Sequence, residues 1–444
     1  MAFAAVFVLS ILFVFVTALY PLIKGVEKVD RFKEHFSTVE AYPFAKSGSS
    51  SSSSTSSDSK TSGGRLARIT AKFDEISKEV TDQEDTIQGY VTDDYPYNSD
   101  FVLIEKRFEK LAGFNATTSS MRMENDLNLG TDVSVELSDG VFGYITDDFK
   151  DVKKKTKKVV DFANYLKKKD INFLFFETPG KTDDDAISEK YMGAYHDYSR
   201  EKLNDILTIL EKNKVDYVSY TQHVDKMGWD KQSLFFKTDH HWLPQTALDA
   251  CSVLTEELNE RYGYEVDTSI YDLDNYEINY SDPICLGASG RQVTEVYADK
   301  ERMPLVIPKY DSNIEVFKSR SNKTKTGTIE ETLLDYSELD PAEFDNNIYN
   351  MNMFRFYASG NMQLVSIHNL QRSDGHRILL VKTSFANAML PYICNSAEYV
   401  DAIDLRCFKG SLKTLIKETQ PDTVVVAYGT IFYETSNARV FRFE

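Results

Sequence analysis

Apolar and polar positions divide the chain into three regimes. From Met1 to Ile23 no charged side chain interrupts the run AAVFVLSILFVFVTALYPLI. As a helix it is long enough to cross a hydrocarbon core of about 30 Å, so it reads as a membrane span. It lacks a basic n-region and a small-x-small cleavage site before Lys24, which favours an uncleaved anchor over a signal peptide. Residues 47–64 (SGSSSSSSTSSDSKTSGG) have nothing to bury and predict a flexible tether. Residues 65–139 are mostly polar, predict helical pieces, and include the glycosylation sequon Asn115-Ala116-Thr117.

Beyond Gly140 two periods alternate. Val152, Val159, Val160, Phe162 and Leu166 recur with helical spacing over 149–169, and 171–177 (INFLFFE) is a continuous apolar run, as in a strand buried on both faces. A helix over 198–212, a strand over 215–220 and a helix over 246–261, entered through Pro244, come next. Strands are predicted at 377–381, 399–405 and 423–428, with helices at 385–392 and 411–419 between them. This alternation predicts an α/β domain with a parallel sheet covered on both faces, its reactive groups on loops at the carboxyl ends of strands. Segments 263–300 and 301–376 are less regular, despite β-like runs such as PLVIPKY and FRFYAS, and predict an excursion from the sheet. The chain thus divides into an anchor (1–23), a juxtamembrane segment and linker (24–64), a polar lead-in (65–139) and a body (140–444).

Charge and cysteine content narrow the function. A net charge of -18 over 444 residues argues against nucleic acid as a partner. Cys251, Cys285, Cys394 and Cys407 form no CxxC and no Cys/His spacing for zinc, so neither a metal nor a cofactor is expected. Pairing of Cys394 with Cys407 and buried thiols both stay open. Lys150 to Lys158 (KDVKKKTKK) predicts a solvated helix face, with an anionic polymer or lipid headgroups as the other reading. Lys24, Lys28, Arg31 and Lys33 come after the span, which taken literally keeps the body inside; that rule is weak for a large translocated domain.

Two segments carry chemistry. In RILLVKTSFANAMLPYI, Ser384 stands between a buried strand and a helix, a place for a nucleophile and equally for an N-cap. In FFKTDHHWLPQTALDA, Asp239 and His241 share a polar turn where a carboxylate can orient an imidazole. A serine hydroxyl needs such a base at neutral pH. His240 adjoins His241, but adjacent positions diverge and no third ligand cluster is evident, so a metal site is not expected.

The element Asp239-His240-His241-Trp242 resembles the signature of the DHHW protein family and the Asp-x-His-Trp element of the alginate O-acetylation proteins. LGASGRQV (286–293), PLVIPKY, KTSFAN and IDLRCFKGSL are similar too, over roughly residues 140–435. As in those proteins, and unlike ordinary SGNH hydrolases, the Asp-x-His element precedes the serine. The resemblance implies an SGNH-hydrolase-like three-layer fold with a mostly parallel central sheet behind a single N-terminal transmembrane helix. It also implies a triad in which Ser384 is nucleophile, His241 base and Asp239 orienter. Thr383 and Gly429 stand where many relatives have Asp and Asn; the Ser384 N–H is the one oxyanion donor inferred. Arg291 is a candidate for a carboxylate or acyl oxygen, or a structural ion pair. Trp242 could stack on a sugar, or be core, and His240 could touch substrate or be structural.

The activity implied by the resemblance is that of an extracytoplasmic O-acetyltransferase anchored in the cell membrane. It would act on a polysaccharide through an acetyl-Ser384 intermediate and be fed by a membrane-bound O-acyltransferase. A carbohydrate esterase with the same triad and a non-catalytic polysaccharide-binding scaffold are the alternatives.

Overall fold

The computed structural model describes residues 134–182, 187, 195–435 and 437–444, together with Arg107 and Lys110. The run 1–23, the serine-rich tether and the Asn115 sequon lie outside these residues. No helix among the described residues is long and apolar enough to cross a membrane.

A hairpin of β1 (Ser134–Ser138) and β2 (Val141–Tyr144) opens the described body. It corrects the helical reading of the lead-in's end: Val135 and Leu137, two residues apart, are both buried, which is strand periodicity. Next come α1 (Val152–Lys167), β3 (Asn172–Glu177), α2 (Ser199–Lys212), β4 (Tyr217–Ser219), α3 (Tyr220–Met227) and α4 (Pro244–Tyr262). The middle of the chain adds β5 (Tyr276–Tyr280), α5 (Ala288–Val293), β6 (Pro304–Pro308), β7 (Ile314–Lys318), β8 (Lys323–Gly327) and β9 (Val365–Asn369). The last part supplies β10 (Arg377–Lys382), β11 (Tyr399–Asp404), α6 (Leu412–Thr419) and β12 (Thr423–Tyr428).

Eight strands form one sheet in the order β4-β3-β12-β10-β11-β9-β7-β8. The first five are parallel, and β9, β7 and β8 continue antiparallel. The sheet is therefore mixed. Part of the segment expected to leave it, 301–376, instead supplies three of its strands. β8 (KTKTG) is the edge, and its exposed lysines suit a strand that must not recruit another. PLVIP does form a strand, but β6 pairs with β5 in a separate two-stranded sheet. FRFYAS holds a 3-10 turn, Met353–Phe356, instead of a strand.

Leu174, Leu379, Val381, Val424 and Val425 are fully buried, so β3, β10 and β12 form the middle of the core as their apolar runs predict. The helix expected at 385–392 breaks into a 3-10 turn, Ser384–Asn387, and one α turn, Leu390–Ile393. On α1, Lys153, Lys154, Lys157 and Lys158 face solvent, while Lys155 turns in to donate to the carbonyls of Tyr433 (2.5 Å) and Thr435 (2.9 Å). Cys251, Cys285 and Cys394 are buried free thiols, so Cys394 is not bridged to Cys407.

Candidate active site

Parallel order places the ends of β10, β3 and β12 side by side, and Ser384 comes two residues after β10 as the first residue of its 3-10 turn. The opposing segment is pinched closed by an antiparallel bridge between Phe235 and Trp242. The Phe236 N–H donates to the His241 carbonyl (3.2 Å), and the Leu243 N–H to that of Leu234 (2.8 Å). Inside the pinch, Asp239 Oδ1 accepts the His241 backbone N–H at 2.9 Å, a local turn of the kind aspartate builds.

The same Oδ1 lies 2.6 Å from His241 Nδ1, and His241 Nε2 lies 2.8 Å from Ser384 Oγ. A carboxylate only accepts, so Nδ1 carries the ring proton and Nε2 presents its lone pair to the serine. Asp239 Oδ2 accepts the Ala288 N–H at 2.8 Å. Burial alone would raise the Asp239 pKa. The two histidines and the His241 hydrogen bonds overcome that and hold it well below the usual carboxylate range. Ser384 and His241 are each only 5% exposed, so these contacts are shielded from water and correspondingly strong. Such an array is able to supply a hydroxyl, a base that can take its proton and an anion that can orient that base.

The other sequence candidates fall differently. Trp242 is wholly buried, packs edge-on against Tyr220 and Phe385, and donates its indole N–H to the Phe385 carbonyl at 2.9 Å. It offers no exposed face to a sugar and is a core residue. His240 does not point away from His241: their ring centroids are 3.9 Å apart. Burial above all pushes His240 down to about 3, so it is neutral. Neither of its ring nitrogens has a hydrogen-bond partner. Arg291, on α5, donates to the Met351 carbonyl.

Several site residues carried no sequence signal as functional. The Phe354 ring stacks on His241. Gly287 passes so close that a Cβ there would sit 2.4 Å from the Asp239 nitrogen; this approach and the small residues of LGASGRQV were the available clue. Lys181 and Glu301 hold the Asp239 segment chiefly by its main-chain groups.

Asp239, His240 and His241 bring ligand atoms within 4.8 Å of one another. Asp239 Oδ1 and both His241 nitrogens are already engaged in the array. A metal would fit only by displacing those hydrogen bonds.

Among known proteins, residues 141–274 match a family described as an SGNH hydrolase-like domain, acetyltransferase AlgX. No curated protein matches the chain in sequence. In fold it is similar to Bacillus cereus PatB1, with a TM-score of 0.55 at 18% identity over 70% of this chain and 100% of that one. It is similar also to a DHHW family protein from Eubacterium siraeum, with a TM-score of 0.50 at 16% identity over 71% of this chain and 95% of that one. At such identities the likeness concerns the fold alone. The chain therefore has an SGNH-hydrolase-like α/β fold with a mixed sheet, and it resembles the AlgX-type acetyltransferases and the DHHW proteins.

Proposed function

We propose that this protein is an O-acetyltransferase that acetylates a polysaccharide outside the cytoplasmic membrane through an acetyl-Ser384 intermediate. The observation that carries the reading is the unbroken hydrogen-bond line from Asp239 through His241 to Ser384 Oγ. The match to a family described as acetyltransferase supports the reaction class.

In the first half-reaction Ser384 Oγ bonds to the acetyl carbonyl carbon as its proton passes to His241 Nε2. The tetrahedral oxyanion collapses, the donor's leaving oxygen departs, and the imidazolium returns the proton to it. Asp239 steadies the imidazolium through Nδ1–H. In the second half a sugar hydroxyl gives its proton to Nε2 and attacks the acetyl carbon. Acetylated sugar leaves, and Ser384 regains its proton. A membrane-bound O-acyltransferase would supply the acetyl group, with residues 1–23 holding the body at that membrane.

The full chain should release p-nitrophenol from p-nitrophenyl acetate and gain a transient adduct of about 42 daltons, one acetyl in place of hydrogen. Ser384→Ala should lose both. Added glycan should take acetyl faster than water does; acetyl lost only to water would make the protein an esterase. Equal turnover in wild type and Ser384→Ala, with no adduct in either, would leave a binding protein. Protease added to intact cells should remove the body, and full protection would refute the outward orientation.

A further inference from the structure

Lys181 is 3% exposed, yet its ammonium meets main-chain oxygens where an ion pair would be expected. Nζ lies within hydrogen-bond reach of the carbonyls of Phe236 (2.7 Å), Lys237 (2.9 Å), Asp239 (2.8 Å) and Phe142, so its three N–H groups are shared among four acceptors. Three of these four belong to the short segment that ends at Asp239. The fourth, Phe142, lies on β2, and its N–H in turn donates to the Lys237 carbonyl at 2.7 Å.

Glu301 binds the opposite poles of the same segment. Its carboxylate accepts the backbone N–H groups of Lys237 and Thr238, each at 2.7 Å, and the Thr238 hydroxyl. Thr238 Oγ1 then accepts the Gly287 N–H at 2.9 Å, and the Gly290 N–H donates to the Thr238 carbonyl at 2.9 Å. A cation gathers the carbonyls and an anion the amides, so the 236–237 and 237–238 peptides are each held at both their carbonyl and their N–H ends. Hydrogen bonds to charged groups are the stronger kind and hold position as well as energy.

We propose that Lys181 is a positioning residue for Asp239. Its buried ammonium and the Glu301 carboxylate clamp residues 236–239 so that the Asp239 carboxylate meets His241 in fixed register. The proposal rests on the serine chemistry above. Methionine at 181 would leave four carbonyls converging on an apolar group. Arginine would replace a compact three-donor head by a planar fork that four converging carbonyls cannot satisfy.

The test compares the full chain with Lys181→Met, Asp239→Asn and the double variant, by backbone hydrogen exchange and by p-nitrophenyl acetate kinetics. In Lys181→Met, exchange over residues 235–243 should rise at least about tenfold while β12 keeps its protection. Its kcat should fall about tenfold or more with KM little changed, and by less than about twofold once Asp239 is already Asn, because the two act as a unit. Unchanged exchange at 235–243 would overturn the clamp, and a loss as large in the Asp239→Asn background would overturn its action through Asp239. Should Lys181→Met fail to fold, Glu301→Gln keeps the side chain's shape, loosens the other half of the clamp and is read the same way. A wild-type chain that releases no p-nitrophenol would sink the serine chemistry, while exchange would still decide the clamp.

Discussion

The imidazole of His241 lies flat against the ring of Phe354, with centroids 3.9 Å apart and planes 10° from parallel. Phe385 borders the same imidazole at 5.0 Å. Two rings and one carboxylate thus fix an orientation that a hydrogen bond to Asp239 alone would leave free to rock. Phe354→Ala should lower kcat for p-nitrophenyl acetate about tenfold to a hundredfold, since small misplacements of a reacting group carry that cost. Wild-type kcat in this variant would show that the stacking is only packing.

Within the hydrogen-bond line the three residues should not contribute alike. Ser384→Ala and His241→Ala should each abolish acyl-enzyme, and Asp239→Asn should cut kcat by about 10³ to 10⁴ through the wrong tautomer. Stopped-flow acylation rates decide it; an Asp239→Asn protein within a few-fold of wild type would remove the carboxylate from the mechanism.

Gly287 has no room for a side chain, because a Cβ there would lie 2.4 Å from the Asp239 nitrogen and 2.5 Å from the Thr238 carbonyl carbon, both backbone. Gly287→Ala should destabilise the fold by about 1 to 3 kcal/mol, as overpacking does, and lower kcat by displacing Asp239. Urea unfolding alongside kinetics checks both effects. An unshifted midpoint with full activity would contradict the close approach.

His240 titrates about 3 in the fold against 6.5 when unperturbed, so between those values the unfolded chain binds the proton that the folded chain refuses. Its contribution to stability is complete above pH 6.5 and is lost as pH falls toward 3, at up to about 1.4 kcal/mol per unit. The Asp239 contribution is complete above pH 3.8 and is lost only as pH falls below that value. Unfolding midpoints should therefore drop between pH 7 and pH 5 in wild type and drop less in His240→Gln. Parallel curves for the two proteins would refute the assignment.

Trp242→Phe removes the indole donor to the Phe385 carbonyl and leaves a buried acceptor unsatisfied. A stability loss of about 1 to 3 kcal/mol is expected, with KM for a glycan acceptor unchanged. A raised KM in a protein of full stability would instead return Trp242 to the substrate.

The parallel half of the sheet was legible because β3, β10 and β12 are buried on both faces and read as unbroken apolar runs. β7, β8 and β9 were not. Each is short and mixed in polarity, and KTKTG at the edge buries nothing that a pattern could reveal. The aromatics of FRFYAS suggested a strand, yet tertiary packing of Phe354 on His241 and of Phe356 in the core goes with a 3-10 turn. Asp239, His241 and Ser384 could be picked out because the Asp-His-His-Trp and KTSFAN elements resemble a known family, and the structure brings the three side chains together in one line of hydrogen bonds. Lys181 and Glu301 could not, since their partners are mostly peptide groups, which look alike at every position.

Asp239 and His241 are two residues apart, whereas 143 separate His241 from Ser384. During folding these contacts belong to different moments. The acid and base can find each other within one turn of chain, at little loop-closure cost, while serine and imidazole meet only after β10 has joined the sheet. A chain in which β10 had not joined the sheet would have an imidazole with nothing to deprotonate, and the first acetyl taken up on Ser384 would report that this long connection has closed.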